Sequence, residues 1–299
     1  MQMNKRLLLI GTGSIAYKHA KNLLLMGYDI YIISKNKKNF YNFKKKIKKK
    51  IFFINNINKI NFQNFEFILI ANETHKRFKY LKLGLKKNIN IFCEKPFFCS
   101  KNELIQLQNN YRFFKKLLYF NYQLRFHPKI LNIKKNIKKK NVRLVNCVVG
   151  LDLKKWRKEK ITKESYFINK TKGGGVILEL VHEINTLRYL FGDFEKIITF
   201  KSNHKFYNVE DIAVSIFKIK NKNIIGSISQ DMIRSKYTRY IEYSIDNKIH
   251  KVDISHKKNN LLKKSLDFFL KSLDKKNDFY FKEALKDFKD CIKMHNAEL

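Results

Sequence analysis

The sequence predicts an α/β protein that consists of a doubly wound parallel sheet followed by a second α/β domain with an antiparallel sheet. Short apolar runs alternate with helical patterns over residues 1–120, which is typical of a parallel sheet. A glycine-containing turn separates the first run from the first helix. Beyond residue 142, short runs are separated by turn residues such as Asn221 and Asn247, which indicates hairpins. We therefore expect two domains, residues 1–120 and residues 121–299.

The elements of the first domain follow from continuous apolar runs, because strands of a parallel sheet are buried on both faces. Such runs predict strands over residues 5–10, 29–34, 66–71, 89–93 and 116–121. Helical spacing predicts helices over residues 14–26, 74–86 and 101–110.

The second domain is predicted to begin with a helix over residues 129–140 and a strand over residues 142–151. A run of three glycines, residues 173–175, precedes a predicted helix over residues 176–191. Further strands are expected over residues 195–201, 211–219, 223–231, 238–245 and 248–254, and helices over residues 259–273 and 280–295.

The composition excludes several classes of protein. Of the 299 residues only 10 are Gly and 2 are Pro, so the chain is neither collagen-like nor of low complexity. Aromatic residues make up 14% of the chain, which is too many for a disordered protein. Because no apolar run approaches the ~18 residues of a membrane span, we expect no membrane-spanning segment.

The net charge of +39 has two interpretations. A strongly basic surface is typical of proteins that bind nucleic acids or anionic membranes. Alternatively, the charge reflects a genome rich in A and T, since residues with AT-rich codons (Lys, Asn, Ile, Phe and Tyr) dominate the sequence. We favour the second interpretation, because the chain lacks the interleaved aromatic and basic motifs of nucleic-acid binders.

The four cysteines, Cys93, Cys99, Cys147 and Cys291, form no CxxC pair and no metal-ligand spacing with histidine. The sequence therefore predicts no metal site and a reducing compartment. The apolar run at residues 7–10 is too short for the core of a signal peptide. We accordingly expect a cytoplasmic protein.

The turn after the first strand has the GxGxxA pattern of a dinucleotide-binding motif. Its residues are Gly11, Thr12, Gly13, Ser14, Ile15 and Ala16. The first glycine permits a tight turn, the second lets the backbone approach a pyrophosphate, and Ala16 allows the helix to pack closely on the strand. Free N–H groups at the helix N-terminus would bind the phosphates. The alternative is a glycine turn required only for packing, and His19 on the same helix is expected to be a packing residue.

The end of the second strand distinguishes NAD from NADP. A carboxylate there would bind the ribose 2′-hydroxyl of NAD, but this chain has Ser34 and Lys35, followed by Lys37 and Lys38. A hydroxyl and several ammonium groups suit a 2′-phosphate. The sequence therefore favours NADP, with NAD as the alternative.

A lysine directly follows the predicted strand over residues 89–93, in the sequence Glu94-Lys95-Pro96. The carboxyl ends of strands in open α/β sheets face the ligand, so Lys95 is expected to point toward the nicotinamide. An ammonium group there can stabilise an alkoxide or polarise a carbonyl. Because lysine is abundant in this chain, the alternative is a solvated surface residue.

At this point the chain resembles the Gfo/Idh/MocA oxidoreductases, the family of glucose–fructose oxidoreductase and inositol dehydrogenase. The matching segments are GTGSIAYKHAKNL, ILIANETHKR, FCEKPF, NYQLRFHP, GGGVILELVHEINTLRYLFGDF and VEDIAVSIFKIKN. The resemblance implies a Rossmann domain followed by an α/β domain with a large open antiparallel sheet. It implies NAD(P)-dependent oxidation or reduction of sugars, polyols or sugar derivatives. It also implies a homodimer or homotetramer, because another subunit usually covers the open sheet.

The resemblance assigns further residues to the cofactor site. Lys95 takes the role of the family's EKP lysine, and contacts to the cofactor are expected from Ala71, Asn72 and Glu94. The chain also departs from the family pattern. Asn72 and Glu73 stand where the family often has Thr-Pro, and Arg77 stands where many members have His.

The predicted helix over residues 176–191 carries a candidate acid–base pair. Glu179 and His182 are three residues apart, so they share an arc of the helix and the glutamate could orient the imidazole. The resemblance implies that His182 is the catalytic acid or base. The family's common pattern has an Asp four residues before this His, where the chain has Leu178, and whether Glu179 replaces it stays open. Asn185 stands where many members have Asp.

The resemblance places substrate contacts in two segments besides His182. Arg125 is expected to bind a substrate anion or hydroxyl, and Tyr122 is a weaker candidate. Trp156, Arg157 and Tyr166 lie in an irregular segment that resembles loops lining sugar sites. A packing role is the alternative for each of them.

The sequence thus leads to one favoured function and two alternatives. In a cytoplasmic NAD(P)-dependent oxidoreductase, substrate would bind between the domains, His182 would take the hydroxyl proton, Lys95 would stabilise the alkoxide, and hydride would pass to the nicotinamide. The first alternative is a dinucleotide-binding regulator without catalysis, because the Asp before the His is missing. The second is a basic nucleic-acid-binding protein.

Overall fold

The computed structural model of the protein describes residues 5–34, 37–47, 51–157, 161–203, 208–255, 260–275 and 278–296. The chain forms two compact units. The first unit consists of Met1–Asn121 and Leu262–Ala284, and the second consists of Tyr122–Leu261 and Leu285–Leu299. The sequence placed a single division between residues 120 and 121, and it did not predict that residues 262–284 return to the first unit. None of the described helices is long and apolar enough to cross a bilayer.

The first unit is a sheet flanked by helices. Its strands are β1 (Arg6–Ile10), β2 (Asp29–Ile33), β3 (Ile51–Phe53), β4 (Phe67–Ile70), β5 (Asn90–Cys93) and β6 (Leu118–Phe120). Its first four helices are α1 (Ser14–Leu25), α2 (Lys37–Ile47), α3 (Arg77–Lys86) and α4 (Lys101–Tyr111). The strand order is β3-β2-β1-β4-β5-β6, and every neighbouring pair is parallel. The predicted doubly wound parallel sheet is confirmed.

The order of the strands reverses between β1 and β4, which are neighbours in the sheet. In such sheets the ligand crevice lies outside the carboxyl ends of the two strands at the switch point. Leu7–Ile10 and Phe67–Ile70 are buried, which explains their continuous apolar sequence. The turns that follow these two strands are therefore the place to look for a ligand site in this unit.

Helix α2 and strand β3 were not predicted from the sequence. The helix buries Phe40, Phe43 and Ile47, which recur on one face and pack in the core of the first unit. Its lysines, including Lys44 and Lys45, are exposed. The density of lysine concealed the apolar face in the sequence.

The second unit is built on a second six-stranded sheet. Its helices are α5 (Pro128–Asn136), α6 (Leu153–Trp156), α7 (Val176–Glu179) and α8 (His182–Phe191). Its strands are β7 (Leu144–Asp152), β8 (Phe194–Ser202), β9 (Ile212–Ile219), β10 (Ile225–Asp231), β11 (Ile233–Ile245) and β12 (Lys248–Asp253). The strand order is β12-β11-β7-β10-β9-β8. Strands β7 and β10 are parallel and the other neighbouring pairs are antiparallel, so the sheet is mixed where hairpins alone were predicted.

The predicted helix over residues 176–191 is two helices, because the chain leaves helical geometry at Leu180. The backbone of Leu180 has φ −108° and ψ 31°, and its carbonyl accepts a hydrogen bond of 3.0 Å from Nε2 of the fully buried Gln230. In a continuous helix a backbone N–H would donate to this carbonyl, and here the side chain of Gln230 donates instead. Residues before and after the break therefore do not share one helical face, which corrects the spacing argument for Glu179 and His182.

The three glycines before α7 are required by close contacts. A Cβ atom at Gly174 would stand 2.6 Å from the carbonyl oxygens of Tyr166 and Phe167. Gly175 has φ +106°, a conformation that other residues rarely adopt. The run of glycines thus brings the irregular segment around Tyr166 directly against the start of α7.

Two further helices, α9 (Leu261–Leu270) and α10 (Phe279–Asn296), complete the described chain. Asp287 on α10 is buried and accepts hydrogen bonds from Asn185 Nδ2 at 2.6 Å and from Arg188 Nη1. Asn185 Oδ1 in turn accepts a bond of 2.8 Å from Arg125 Nε. Burial raises the pKa of Asp287, and the charges of Arg188 and Arg125 oppose this effect. An amide at position 185 can donate to Asp287 and accept from Arg125 at once, which a carboxylate cannot do.

We expect Asn185→Asp to lower the free energy of unfolding by about 3 kcal/mol at about pH 8, because it would bring two buried carboxylates into contact. Burial and the charge of Asp287 would raise the pKa of the new carboxyl above its unfolded value. Part of the loss should therefore disappear as the pH falls to about 5. The measurement is urea unfolding of the variant and the wild type at both pH values. Asn132→Asp, at an exposed position of α5, is the control and should change stability by less than about 0.5 kcal/mol. An unchanged unfolding free energy for N185D at about pH 8 would contradict the role of the amide.

Candidate functional site

The turn after β1 brings the backbone of the first glycine against the end of β4. Gly11 has φ +111°, and a Cβ atom there would stand 2.9 Å from the carbonyl oxygen of Ala71 and 3.0 Å from Cα of Asn72. Its N–H donates to the carbonyl of Ile33 on β2 at 3.0 Å. The predicted cofactor residues Ala71 and Asn72 thus lie directly beside the glycine turn. Any other residue at position 11 would clash with backbone atoms.

The second glycine stands where the structure leaves space. Gly13 is the N-cap of α1, no side chain caps the helix there, and a Cβ atom would meet nothing within 4 Å. Ala16 is fully buried in the core of the unit, as expected for the position of helix–strand packing. The other turn residues are Thr12 and Ile15, which are half-buried, and Ser14, which is exposed. The turn therefore offers helix N–H groups on an open side, which suits a pyrophosphate.

Two buried polar atoms near the end of β4 lack a hydrogen-bond partner among the described residues. They are Asn72 Oδ1 and Thr74 Oγ1, and Thr74 is only 1% exposed. Buried polar atoms are normally paired, so these two are candidates to bind a ligand in the crevice. The two unpaired atoms and the open side of the glycine turn together offer polar groups to a ligand, so the residues present fit a dinucleotide. Thr74 was not predicted from the sequence, since a single threonine after a strand carries no distinctive pattern.

The residues that favoured NADP are only partly described. Ser34 follows β2 and is half-buried, and Lys37 and Lys38 are exposed at the start of α2. Lys35 lies outside the described residues. The preference for NADP therefore stays a prediction.

The turn after β5 carries Lys95, which is half-buried and precedes a cis peptide bond to Pro96. The buried side chain of Arg77 holds this turn from one side. Its Nη1 donates to the carbonyls of Glu94, at 3.0 Å, and Pro96, while its Nε donates to the carbonyl of Asn72 at 2.9 Å. One guanidinium thus ties the backbone on both sides of Lys95 to the end of β4. Sequence reasoning identified Arg77 only as a departure from the family pattern.

The carboxylate of Glu94 holds the same turn from inside the unit. It is 4% exposed, and its Oε1 accepts hydrogen bonds of 2.6 Å from His19 Nε2 and 2.6 Å from Asn121 Nδ2. Its Oε2 accepts a bond of 3.3 Å from the backbone N–H of Lys95. Burial by itself would raise the pKa of Glu94, but the bonds from His19 and Asn121 and the charge of Arg77 lower it. Glu94 is thus an ionised residue that fixes the turn, while its predicted contact with the cofactor stays a prediction.

His19 combines packing with a polar role. Its ring meets Phe92 edge-on, with centroids 5.1 Å apart, as expected of a packing residue. Its hydrogen bond to Glu94 joins residues 75 positions apart in the sequence. The sequence contained no local signal for this pair.

In the second unit, the structure gives Glu179 of the candidate acid–base pair an arginine partner. His182 begins α8 and is 6% exposed. Glu179 accepts a hydrogen bond of 2.7 Å from Arg157 Nη2, and Glu183 lies 2.8 Å from Arg239 Nε. The charge of Glu179 is thus compensated by an arginine, and the sequence-based pairing of Glu179 with His182 stays a prediction.

Arg157 lies among aromatic rings in the segment before the glycines. Its Cζ is 4.1 Å from the ring centroid of Trp156, 5.3 Å from that of Tyr166 and 4.6 Å from that of Phe167. The structure therefore brings together three predicted substrate residues, Trp156, Arg157 and Tyr166. Stacking and the ion pair to Glu179 fix the arginine in one position.

Arg125 and Tyr122 are committed to the buried network of Asp287. Arg125 is 8% exposed, and its guanidinium lies 5.2 Å from the ring of Tyr122 and 4.9 Å from that of Tyr189. Burial raises the pKa of the Tyr122 hydroxyl, and Asp287 adds to this effect. These contacts give both residues a structural role, and their predicted contact with substrate stays a prediction.

A family profile matches the first part of the chain. Residues 5–122 match the oxidoreductase family with an NAD-binding Rossmann fold. The matched range includes the glycine turn, Asn72, Glu94 and Lys95. No curated protein matches the chain in sequence.

Solved structures resemble the chain over nearly its whole length. GenD2 from gentamicin A biosynthesis, in complex with NAD, has 12% identity and a TM-score of 0.83, and the match covers 99% of this chain and 95% of GenD2. The myo-inositol 2-dehydrogenase of Lactobacillus plantarum has 14% identity and a TM-score of 0.82, with 98% and 97% covered. The WlbA dehydrogenase of Bordetella pertussis, in complex with NADH and UDP-GlcNAcA, has 12% identity and a TM-score of 0.78, with 99% and 96% covered.

At these identities the solved structures establish the fold of both units, and the profile identifies the first unit. The glycine turn, the unpaired polar atoms beside it and the clamped lysine turn all lie within the range that the profile matches. Residues 5–122 therefore match the oxidoreductase family with an NAD-binding Rossmann fold, and the chain as a whole shares the fold of the similar solved structures.

Proposed function

We propose that the protein is an NAD(P)-dependent dehydrogenase that acts on a CH–OH group of a sugar, a polyol or a sugar derivative. The observation that carries this proposal is the turn of Lys95, which two buried charged side chains, Glu94 and Arg77, fix beside the dinucleotide turn. The ligands bound in the similar structures, NAD in GenD2 and NADH with UDP-GlcNAcA in WlbA, support this class of cofactor and substrate. The activity named for the Lactobacillus protein supports a polyol as another substrate class.

In the proposed mechanism, Lys95 and His182 act on the same substrate. The bound dinucleotide would supply the hydride acceptor for oxidation and the hydride donor for reduction. The ammonium group of Lys95 donates a hydrogen bond to the reacting oxygen and stabilises its negative charge. His182 takes the proton from the substrate hydroxyl, or returns it in reduction. Glu179 acts indirectly in this scheme, by holding Arg157.

Substrate contacts are proposed for the segment that precedes the glycines. Trp156, Arg157 and Tyr166 are half-buried and mutually packed, which gives a rigid aromatic surface of the kind that suits a sugar ring. Arg125 and Tyr122 are proposed as weaker contacts, because the network of Asp287 already occupies part of their hydrogen-bonding capacity.

We further propose that the open face of the second sheet binds another copy of the chain. Its exposed apolar side chains are Leu144, Ile198, Phe200, Val214, Ile216 and Ile225. They lie opposite one another in pairs across neighbouring strands, as Ile198 with Ile216 and Phe200 with Val214. Several exposed apolar pairs on one sheet are typical of a surface that another protein covers. A homodimer or homotetramer would cover it.

A cytoplasmic location is also part of this proposal. All four cysteines, Cys93, Cys99, Cys147 and Cys291, are free thiols. Free buried thiols are typical of proteins in a reducing compartment.

The main test is Lys95→Ala in an absorbance assay at the nicotinamide band, with polyols, sugar acids and nucleotide sugars as substrates. We expect turnover to fall at least about 100-fold, because the reacting oxygen loses its charged donor. The dissociation constant of the reduced dinucleotide should stay within about tenfold, since most of its contacts lie elsewhere. Lys101→Ala, at an exposed lysine of α4, is the control. Full activity of K95A would refute the role of Lys95, and tight dinucleotide binding by a wild-type protein that turns over no substrate would favour the non-catalytic regulator.

Cofactor choice is tested by titrating NADPH and NADH against the wild type and Ser34→Asp, with fluorescence as the readout. We expect the wild type to bind NADPH more tightly. The carboxylate of S34D should reverse this order by repelling the 2′-phosphate and accepting a bond from the 2′-hydroxyl. Ser34→Ala controls for loss of the hydroxyl alone. Tighter binding of NADH by the wild type would show that the lysines after β2 do not select the cofactor.

The proposed interface is tested by Ile216→Asp with sedimentation equilibrium as the measurement. We expect the wild type to sediment as a dimer or tetramer and the variant as a monomer, because a charge at the centre of an apolar interface is costly. Phe113→Asp, at a side chain that is 85% exposed in the first unit, should leave the assembly intact. A monomeric wild type, or an unchanged assembly of I216D, would rule out this face as the interface.

A further inference from the structure

We propose that His19 and Arg77 are positioning residues that couple dinucleotide binding at the glycine turn to the order of the turn that carries Lys95. Together with Glu94 they form a buried charged bracket, which we define as these three side chains. The inference rests on the proposed function only in taking the ligand to be a nicotinamide dinucleotide. It concerns residues of the first unit alone.

The first arm of the bracket runs through helix α1. His19 is fully buried and lies one and a half turns beyond Gly13, the N-cap at the open side of the glycine turn. Its Nε2 is 2.6 Å from Glu94 Oε1. Because Glu94 is ionised, Nε2 must carry the hydrogen of this bond. Nδ1 has no hydrogen-bond partner among the described residues, so the imidazole is held through its Nε2 side. His19 therefore donates to Glu94 through Nε2.

The second arm runs through the backbone at the end of β4. The carbonyl of Asn72 accepts from Arg77 Nε at 2.9 Å, and Cα of Asn72 is one of the backbone atoms, with the carbonyl group of Ala71, that a side chain at Gly11 would meet. The same guanidinium reaches the carbonyls of Glu94 and Pro96. A movement of the glycine turn against Asn72 is thus transmitted to both residues that flank Lys95.

Both arms end on the same short segment. His19 fixes the side chain of Glu94, whose Oε2 accepts the N–H of Lys95, and Arg77 fixes the carbonyls on either side of Lys95. A ligand that fastens α1 and the glycine turn therefore also restricts the lysine turn. By linkage, an ordered lysine turn must strengthen dinucleotide binding by the same factor. The bracket thus orders the turn of the proposed catalytic lysine more firmly when the cofactor is bound.

The described hydrogen bonds of the bracket join residues of the first unit to one another, so the coupling can be tested with the dinucleotide alone. Asn121 extends the bracket inside the first unit, since its Oδ1 accepts from Ser265 Oγ at 2.8 Å on α9. Through Asn121, Glu94 is thus linked to α9. No described hydrogen bond joins α9 to the glycine turn. His19 and Arg77 are therefore the residues to change.

The experiment measures two quantities in the full chain, with NADH and NADPH as the probes. The first is the dissociation constant from fluorescence titration. The second is hydrogen exchange of the peptide over residues 93–98, with and without the dinucleotide. In the wild type, binding should slow exchange in this peptide. His19→Ala should weaken binding about tenfold and abolish the slowing, while His19→Gln, which keeps a side-chain donor, should restore both to within about threefold.

Arg77→Lys is the second variant, and it keeps the charge but not the planar fork that reaches three carbonyls. We expect R77K to lose the slowing of exchange in residues 93–98. Lys21→Ala on α1 and Lys86→Ala on α3, both exposed, are the matched controls and should behave as the wild type. Thermal unfolding checks that each variant is folded.

The outcomes separate the coupling from the proposed function. Wild-type affinity and wild-type slowing in both H19A and R77K would overturn the coupling. The coupling would also be overturned if His19→Gln lost as much affinity and as much slowing of exchange as His19→Ala. Packing of the imidazole, rather than its hydrogen bond to Glu94, would then explain the effect. A wild type that binds neither NADH nor NADPH would instead refute the proposed function.

Discussion

The buried carboxylate of Glu94 is the constraint on which the first unit depends. A charge in the interior is stable only when donors surround it, and here the donors come from separate parts of the chain. His19 comes from α1, Asn121 from the end of β6, and the backbone N–H from Lys95 itself. Asn121 is held in turn by Ser265, whose hydroxyl also lies 2.9 Å from Tyr119 OH. The return of residues 262–284 to this unit therefore holds Asn121, one of the donors to Glu94, in place.

The same physical rule explains the amide at position 185 of the second unit. Asp287 on α10 is a buried carboxylate that needs donors, and Arg188 and Asn185 supply them. An Asp at position 185 would face Asp287 as a like charge, whereas the amide of Asn185 donates to it. The amide is therefore matched to the C-terminal helix of this chain. Because the amide oxygen also binds Arg125, a residue expected to contact substrate is held in place by the fold.

The sequence was sufficient for the features that depend on local patterns and insufficient for those that depend on distant partners. The parallel strands, the glycine turn and the position of Lys95 after β5 follow from runs of adjacent residues, and the structure agrees with them. Helix α2 was missed because exposed lysines outnumber its buried face of Phe40, Phe43 and Ile47. The break at Leu180 was missed because it depends on Gln230, which is 50 residues away. The bond of His19 to Glu94 was missed for the same reason.

The basic residues that produce the charge of +39 differ in burial, because lysines and arginines occupy different places in the structure. No described lysine is buried, whereas Arg77, Arg125 and Arg188 are. Each of these arginines makes several directed hydrogen bonds or stacks on aromatic rings, which a lysine ammonium cannot reproduce. Lysine can replace arginine during compositional drift at positions where the side-chain cation contacts only water. The arginines that remain inside are therefore the positions where the geometry of the cation matters, and Arg77 is the one among them that holds the turn of Lys95.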